Sequence, residues 1–309
     1  MKCRKCNHKA VINMRQHKLA LCKQHFLEWV CDQTERNINK YKLFTKEDSV
    51  LVAVSGGKDS LALWDVLNKL GYKTTGLYIN LGITGEDNYS NKSQLLTEKF
   101  ALKNELTLHI VNIKSEYGKN IPEFSETNKR GKTKPCSVCG LVKRHIMNEI
   151  ASKLDYAVLV TGHNLDDEAA VLFNNVISWQ VDFLRRQAPF IPAKKGLLPK
   201  AKPFCRFYER ETAAYVILAN IEYIEEECPF SIGSTTIQNK QLLNELEHER
   251  AGSKLAFYLK FLKAKNELFP DLKENKYVDK LVVCQTCGQP TPKPGDCTFC
   301  RMINRSDLK

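Results

Sequence analysis

The twelve cysteines of this 309-residue chain are informative through their spacing. Cys3-x2-Cys6 is followed, after fifteen residues, by Cys22-x2-His25. Cys284-x2-Cys287 is followed, after nine residues, by Cys297-x2-Cys300. Each set offers four soft ligands on two short turns, which suits tetrahedral Zn²⁺. A full set leaves no open coordination position, so two structural zinc ions are expected. In the first set His8 or His17 can take the place of His25. A middle group differs. Cys136 and Cys139 lie just ahead of a helical pattern, and Cys228, followed by Pro229, is the remaining credible third ligand. Three thiolates suit a [4Fe-4S] cluster with one iron free of protein ligands. Catalytic thiols passing a persulfide, or a third zinc site completed by a histidine, are the alternatives. Cys31 beside Trp29 and Cys205 beside Phe204 read as small packing residues.

A second chemistry sits at Ser55-Gly56-Gly57-Lys58-Asp59-Ser60. The apolar run Val50 to Val54 enters it, and a helical pattern leaves it. Paired glycines permit a tight turn with exposed amides, and the helix start adds oriented N–H groups. Lys58 adds a point charge; Ser55 and Ser60 add hydroxyls. This is an anion cradle, and it is not a Walker A loop, because GxxxxGK[ST] is absent. The plain alternative is a glycine turn capped by Asp59 and Ser60. A further polar stretch, Thr161 to Ala170 (TGHNLDDEAA), follows another apolar run. Asp166 and Asp167 there can hold Mg²⁺ with phosphates, or cap the helix that follows.

These groups need a scaffold. Asp48–Ser55, Tyr72–Asn80, Leu106–Ile113 and Tyr156–Gly162 read as strands. Ser60–Leu70, Ser90–Asn104, Leu141–Leu154 and Asp166–Ser178 read as helices. That alternation predicts an α/β fold, a doubly wound parallel sheet covered on both faces. Ser115–Pro135 is polar, basic and aperiodic, and reads as a loop. Thr236–Leu268 reads as helix, broken near Gly252. The expected organisation is an N-terminal zinc module over 1–30, a catalytic domain over 48–235, a helical region over 236–280 and a zinc ribbon over 281–309. A composition of 43% hydrophobic and 27% charged residues excludes a mostly disordered chain. No apolar run spans a membrane, and the charged, cysteine-bearing start is no secretory signal, so a cytoplasmic protein is expected. The net charge of +12 favours an anionic partner such as nucleic acid. Arg185–Arg210 carries eight Lys or Arg against one acid, with Phe190, Phe204, Phe207 and Tyr208 interleaved. That composition suits phosphate contact and base stacking; its alternative is a solvated loop with core aromatics.

SGGKDS resembles the PP-loop of the N-type ATP pyrophosphatases, which implies ATP cleaved between its α- and β-phosphates. With Cys3, Cys6, Cys22, His25, PCSVCG at 135–140, TGHNLDDEA at 161–169, ECPFS at 227–231 and the terminal quartet, nearly the whole chain resembles the TtuA/TtcA group of tRNA 2-thiolation enzymes. The two flanking zinc modules make it more similar to the TtuA branch. The resemblance implies adenylation of a uridine C2 oxygen by ATP and sulfur transfer from an iron–sulfur cluster on Cys136, Cys139 and Cys228. It implies catalytic roles for Lys143 and Asp167, and ATP contacts at Val54, Ser55, Gly56, Gly57, Lys58, Asp59, Ser60, Gly162 and Asp166, with Mg²⁺. The implied partners are tRNA and a sulfur donor, either a ubiquitin-like thiocarboxylate protein or free sulfide, with a homodimer expected. Lys143 follows Cys139 by one helical turn and can face the same site; a solvated helix lysine is the bland reading. Persulfide chemistry, another PP-loop activity such as lysidine synthesis, and a non-enzymatic zinc-ribbon RNA-binding protein are the competing functions. The cysteine trio argues against the second of these.

Overall fold

The computed structural model describes residues 1–84, 88–127, 131, 134–231, 235–269 and 281–304. The chain opens on a hairpin, β1 (Ile12–Met14) and β2 (Leu19–Leu21), which passes through Cys22 into the long helix α1 (Lys23–Tyr41). The expected alternation follows as β3 (Ser49–Val54), α2 (Lys58–Lys69), β4 (Lys73–Asn80), α3 (Tyr89–Lys103) and β5 (Leu108–Asn112). Two short helices, α4 (Ile113–Tyr117) and α5 (Ile121–Thr127), precede α6 (Pro135–Lys153). Next come β6 (Val158–Thr161), α7 (Leu165–Ile177), α8 (Val181–Arg186), β7 (Phe190–Ile191), β8 (Lys200–Ala201) and α9 (Glu209–Leu218). Helices α10 (Thr235–Glu249) and α11 (Ser253–Leu268) are divided at Gly252, whose φ of +96° ends the helical path. The described chain closes on β9 (Val282–Val283), β10 (Pro290–Thr291) and α12 (Thr298–Asn304). Residues 270–280 of the expected helical region and 305–309 of the expected ribbon lie outside the described residues.

The main sheet has six strands in the order β5-β4-β3-β6-β8-β7. Every pairing is parallel except the edge pair β7–β8. The first strand of the winding, β3, lies inside; the chain moves out through β4 and β5, then returns to the other side for β6. The β3–β6 junction is therefore the topological switch point, where doubly wound sheets open a crevice at their carboxyl ends. Both loops expected to bind the nucleotide leave these two strands.

Alternation along the strands builds a core on each face. Val50, Val52, Val54, Val158 and Val160 join one buried cluster with Leu61, Trp64, Phe100 and Tyr215 from α2, α3 and α9. Leu51, Leu77 and Leu159 face the other cluster, with Phe124, Val142, Ile146 and Phe299. Gly76 is required where Trp64 crosses the sheet, because a Cβ there would lie 2.4 Å from the indole ring.

Two expectations are corrected. Ser115–Pro135 is not simply loop: within its described part, α5 buries Ile121 and Phe124 in the second cluster. Sparse apolar residues in a lysine-rich stretch hid a short amphipathic helix; residues 128–130 and 132–133 lie outside the described residues. The helix expected from Leu141 begins at Pro135, a residue whose missing N–H costs nothing at a helix start, so Cys136 and Cys139 sit within α6. Among the described residues no helix is long and apolar enough to cross a membrane.

Candidate active site and metal centres

Beyond Val54 the chain turns sharply into α2. Gly56 has φ +74°, and a Cβ on it would lie 2.5 Å from the Ser93 carbonyl oxygen, so both conformation and space demand glycine. Ser60 Oγ accepts from the Ser55 N–H at 3.1 Å and donates to the Gly57 carbonyl at 3.0 Å, which ties the loop across itself. Gly162, just past β6, presses on the same turn: a Cβ there would lie 2.9 Å from the Ser60 nitrogen. The two loops are thus in contact at the head of α2, where free amides and the helix dipole favour an anion.

Charge surrounds this turn. Lys58 Nζ lies 2.7 Å from Glu209 Oε1 and 3.3 Å from Asp59 Oδ2. Burial opposes the Lys58 ammonium, but Asp59 and Glu209 outweigh it and raise its pKa. Asp59 Oδ1 accepts from Asn164 Nδ2 at 3.2 Å and from the Thr212 hydroxyl. Burial nevertheless pushes the Asp59 carboxyl above the usual range. Asp167 forms a capping box with Asn164, and its Oδ1 pairs with Lys240 Nζ at 2.6 Å. The capping expected of this acidic pair therefore falls to Asp167, which also borders a cavity beside the anion loop.

Asp166 departs from expectation. It is buried at 4% exposure, pairs with the equally buried Lys254 and accepts from the Glu209 N–H at 2.9 Å. Its carboxylate braces α7 against α9 and α11 and lines neither cavity beside the anion loop. Lys254→Met would leave this carboxylate without its cation. The expected cost is roughly 3–5 kcal/mol of unfolding free energy in urea titrations, and a loss under about 1 kcal/mol would contradict the bracing role.

A cavity of about 310 Å³ opens at the carboxyl ends of β3, β4 and β6, lined among others by Ser55, Asp59, Tyr78, Lys143, Thr161 and Asp167. A second, about 620 Å³, shares Asp59 and Tyr89 with it and continues past Lys58 to Glu227 and Cys228. Lys143 and Asp167 thus meet at one cavity, and Cys228 borders the next. The cysteine trio is gathered around this junction. Cys136 and Cys139 come from the first turns of α6, with Lys143 one turn on. Burial raises the Cys139 thiol, and Lys143 opposes it. Burial and Cys228 raise Cys136, again against Lys143. Cys136 Sγ donates to the Phe230 carbonyl at 2.9 Å, and the Ser231 hydroxyl donates to the Cys228 carbonyl at 2.7 Å, so the loop bearing Cys228 is fastened over α6.

The outer cysteines form tighter groups. The ligand atoms of Cys3, Cys6, Cys22 and His25 all lie within 4.8 Å of one another, as do those of Cys284, Cys287, Cys297 and Cys300. Cys6 Sγ is 3.8 Å from Cys22 Sγ, and Cys287 Sγ is 3.9 Å from Cys297 Sγ. A tetrahedron with metal–sulfur legs of ~2.3 Å has an edge of about 3.8 Å, so both groups fit one zinc ion. Burial works against the Cys3 thiolate, but backbone N–H groups of Cys22, Lys5 and Cys6 lower it to about 6. His25 Nδ1 lies 3.3 Å from Cys22 Sγ and 3.5 Å from Cys3 Sγ. The alternatives are placed elsewhere: His8 is outside the group, against Cys6 alone, and His17 pairs with Glu211 at 3.2 Å. Cys136, Cys139 and Cys228 are not one of these tight groups.

The C-terminal module docks on α6 itself. Phe299 stacks on His145 with centroids 3.7 Å apart, and Gln289 Nε2 donates to the His145 carbonyl at 3.1 Å. Of the four aromatics expected to stack RNA bases, Phe204, Phe207 and Tyr208 are at most 2% exposed and belong to the core, and Phe190 is half-buried against it. Glu209, Lys240, Asn164 and Thr212 escaped the sequence reading. Asn164 stood inside a motif and was legible as a cap; the others reach the site only through folding.

The family profile for the 2-thiouridine synthetase TtuA N-terminal LIM domain matches residues 2–27, and that for the tRNA methyl transferase HUP domain matches residues 48–191. The tRNA-5-methyluridine(54) 2-sulfurtransferase of Thermus thermophilus is 45% identical over 302 residues, covering 98% of this chain and 91% of that protein. Its namesake from Thermotoga maritima is 42% identical over 306 residues, covering 98% and 96%. Among solved structures, the U34-tRNA thiolase NcsA from Methanococcus maripaludis with its [4Fe-4S] cluster superimposes with a TM-score of 0.74 at 25% identity, covering 85% of this chain and 87% of that one. An anion loop at the switch point, Lys143 and Asp167 on the cavity beside it, Cys228 on the adjoining one, and this identity along nearly the full length lead to one conclusion: the chain belongs to the tRNA 2-sulfurtransferase family, enzymes of tRNA uridine 2-thiolation.

Proposed function

We propose that this enzyme converts 5-methyluridine at position 54 of tRNA to its 2-thio form, using ATP to activate the C2 oxygen. The observation that carries the chemistry is the position of Lys143, which lines the nucleotide cavity with Asp167 and stands one helical turn from Cys139. The higher identity to the position-54 enzymes than to the U34 thiolase supports the site on the tRNA.

Val54 to Ser60 and Gly162 hold ATP with its phosphates on the α2 amides and Lys58. Asp167, already beside Lys240, holds Mg²⁺ against the phosphates. This arrangement opposes charge developing on pyrophosphate as the uridine oxygen attacks the α-phosphate. Lys143 holds the uridine against the activated phosphorus and offsets negative charge on its base. Cys136, Cys139 and Cys228 fit a [4Fe-4S] cluster, which supplies an iron open to a sulfur ligand when bound. Their nearness to Lys143 supports sulfur delivery next to the cavity in which adenylation takes place. The two outer groups hold Zn²⁺, one fastening α1 to the hairpin and the other pressing on α6. Sulfur arrives from a ubiquitin-like thiocarboxylate protein or as sulfide, and the enzyme works as a cytoplasmic homodimer.

Anaerobically purified protein is expected to carry about two zinc and about four iron atoms per chain by elemental analysis, the iron lost on exposure to air. Thiolation by protein free of iron would replace the cluster by persulfide chemistry on the same cysteines.

A further inference from the structure

The carboxylate of Glu209 bridges two ammonium groups at the mouth of the anion loop. Its Oε1 lies 2.7 Å from Lys58 Nζ, and its Oε2 lies 3.0 Å from Lys240 Nζ. The three residues come from separate elements: Lys58 opens α2, Glu209 opens α9 and Lys240 lies on α10. All three side chains are partly buried, with Lys240 at 21% exposure, so their charges are poorly screened. One anion therefore fills the gap between two cations beside amides that themselves favour an anion. A phosphate presents the same chemistry: adjacent, negatively charged oxygens within reach of both ammonium groups. A carboxylate and a polyphosphate cannot share this gap without strong like-charge repulsion.

We propose that Lys240 is a second phosphate-binding lysine of the ATP site, closing on the β- or γ-phosphate opposite Lys58, and that Glu209 keeps their place while the nucleotide is absent. The inference rests on the reading of the loop as an ATP site. The exchange asks little of the fold. The Glu209 backbone is fixed by its N–H to Asp166 Oδ2 at 2.9 Å, so only the side chain has to swing out. Lys240 stays anchored through Asp167 Oδ1 at 2.6 Å when the carboxylate leaves. Two cations held beforehand on one anion are also kept at the right separation for the next. Burial disfavours the Glu209 charge, yet Lys240 and Lys58 hold its pKa down at about 2, so the bridge is ionic throughout the neutral range. Because Lys240 belongs to α10, ATP binding then draws that helix into the site, which the PP-loop alone does not do.

Calorimetric titration of ATP and of AMP into the full-length protein tests this, with thermal unfolding recorded on each preparation. Lys240→Ala is expected to weaken ATP roughly tenfold while AMP affinity holds within about twofold, since AMP lacks the phosphates concerned. Lys240→Arg is expected to recover most of the loss. Glu209→Gln is expected to bind ATP at least as tightly as the parent protein, because the competing charge is gone. Should Lys240→Ala fail to fold, Lys240→Gln gives the same comparison with a polar side chain. Parental ATP affinity in folded Lys240→Ala or Lys240→Gln, or equal loss for ATP and AMP, overturns the proposal. So does weaker ATP binding by Glu209→Gln, which would make Glu209 a ligand of the nucleotide's metal. If the parent protein itself binds no ATP, the nucleotide reading falls with it; if the parent binds and only Lys58→Ala loses affinity, the proposal alone falls.

Discussion

Alanine at Cys136, Cys139 or Cys228 is expected to bring tRNA thiolation below about one-thousandth of the parent rate, the scale on which loss of an essential reactive centre is felt. The three thiols come from α6 and from the loop after Glu227, and Lys143 acts electrostatically on both helix cysteines. Removing any one would leave the proposed cluster with two protein anchors. ATP affinity is expected to survive, because the anion loop is tied by Ser60 and Gly162 and takes nothing from these cysteines. Cys205→Ala and Cys31→Ala are the controls. Cys205 is fully buried in an apolar cluster with Leu165 and Tyr258, and Cys31 packs against the first core cluster, so both act as packing residues. Thiolated nucleoside per tRNA under strict anaerobiosis is the measurement. An inactive Cys205→Ala beside an active Cys228→Ala would mean that the third ligand is misassigned, and activity in all three variants of the trio would remove both cluster and persulfide chemistry from this site.

Lys58→Ala is expected to lower kcat/KM for ATP by about 10²–10³-fold, the range for losing one charge placed against a developing anion. Zinc content and unfolding temperature should be nearly unchanged, because Lys58 sits at the site's rim and not in either apolar cluster. The variant also frees Glu209 from one of its two lysines, and Lys240 still holds the other oxygen. Parental turnover would remove Lys58 from the phosphate site.

Much of this site was legible because its residues are close in sequence. The two outer four-ligand groups are pairs of short turns, and the anion loop is six consecutive residues between a strand and a helix. The alternation of strands and helices is a local pattern too, and the switch point follows from it. What stayed hidden is what folding alone brings together. Glu209 and Lys240 stand far from Lys58 in sequence and have no spacing that marks them, yet they close around it. Asp166 and Asp167 are neighbours whose side chains point to different surroundings because α7 turns by roughly 100° per residue. One faces Lys254 in the interior and the other the cavity. The aromatics of 204–208 misled because aromatic residues in a basic stretch look the same whether they meet RNA bases or one another; Phe204 and Phe207 pack together in the core, their centroids 4.9 Å apart and their planes tilted.

The most direct test of the account combines this chain, reconstituted anaerobically, with unmodified-at-C2 tRNA, Mg-ATP and sulfide, and follows pyrophosphate release and nucleoside composition together. About one pyrophosphate and one AMP are expected for each 2-thio-5-methyluridine formed, with the new sulfur confined to position 54 by mass spectrometry of tRNA fragments. Thiolation without ATP cleavage, or ATP cleavage that leaves every uridine oxygen in place, would contradict it.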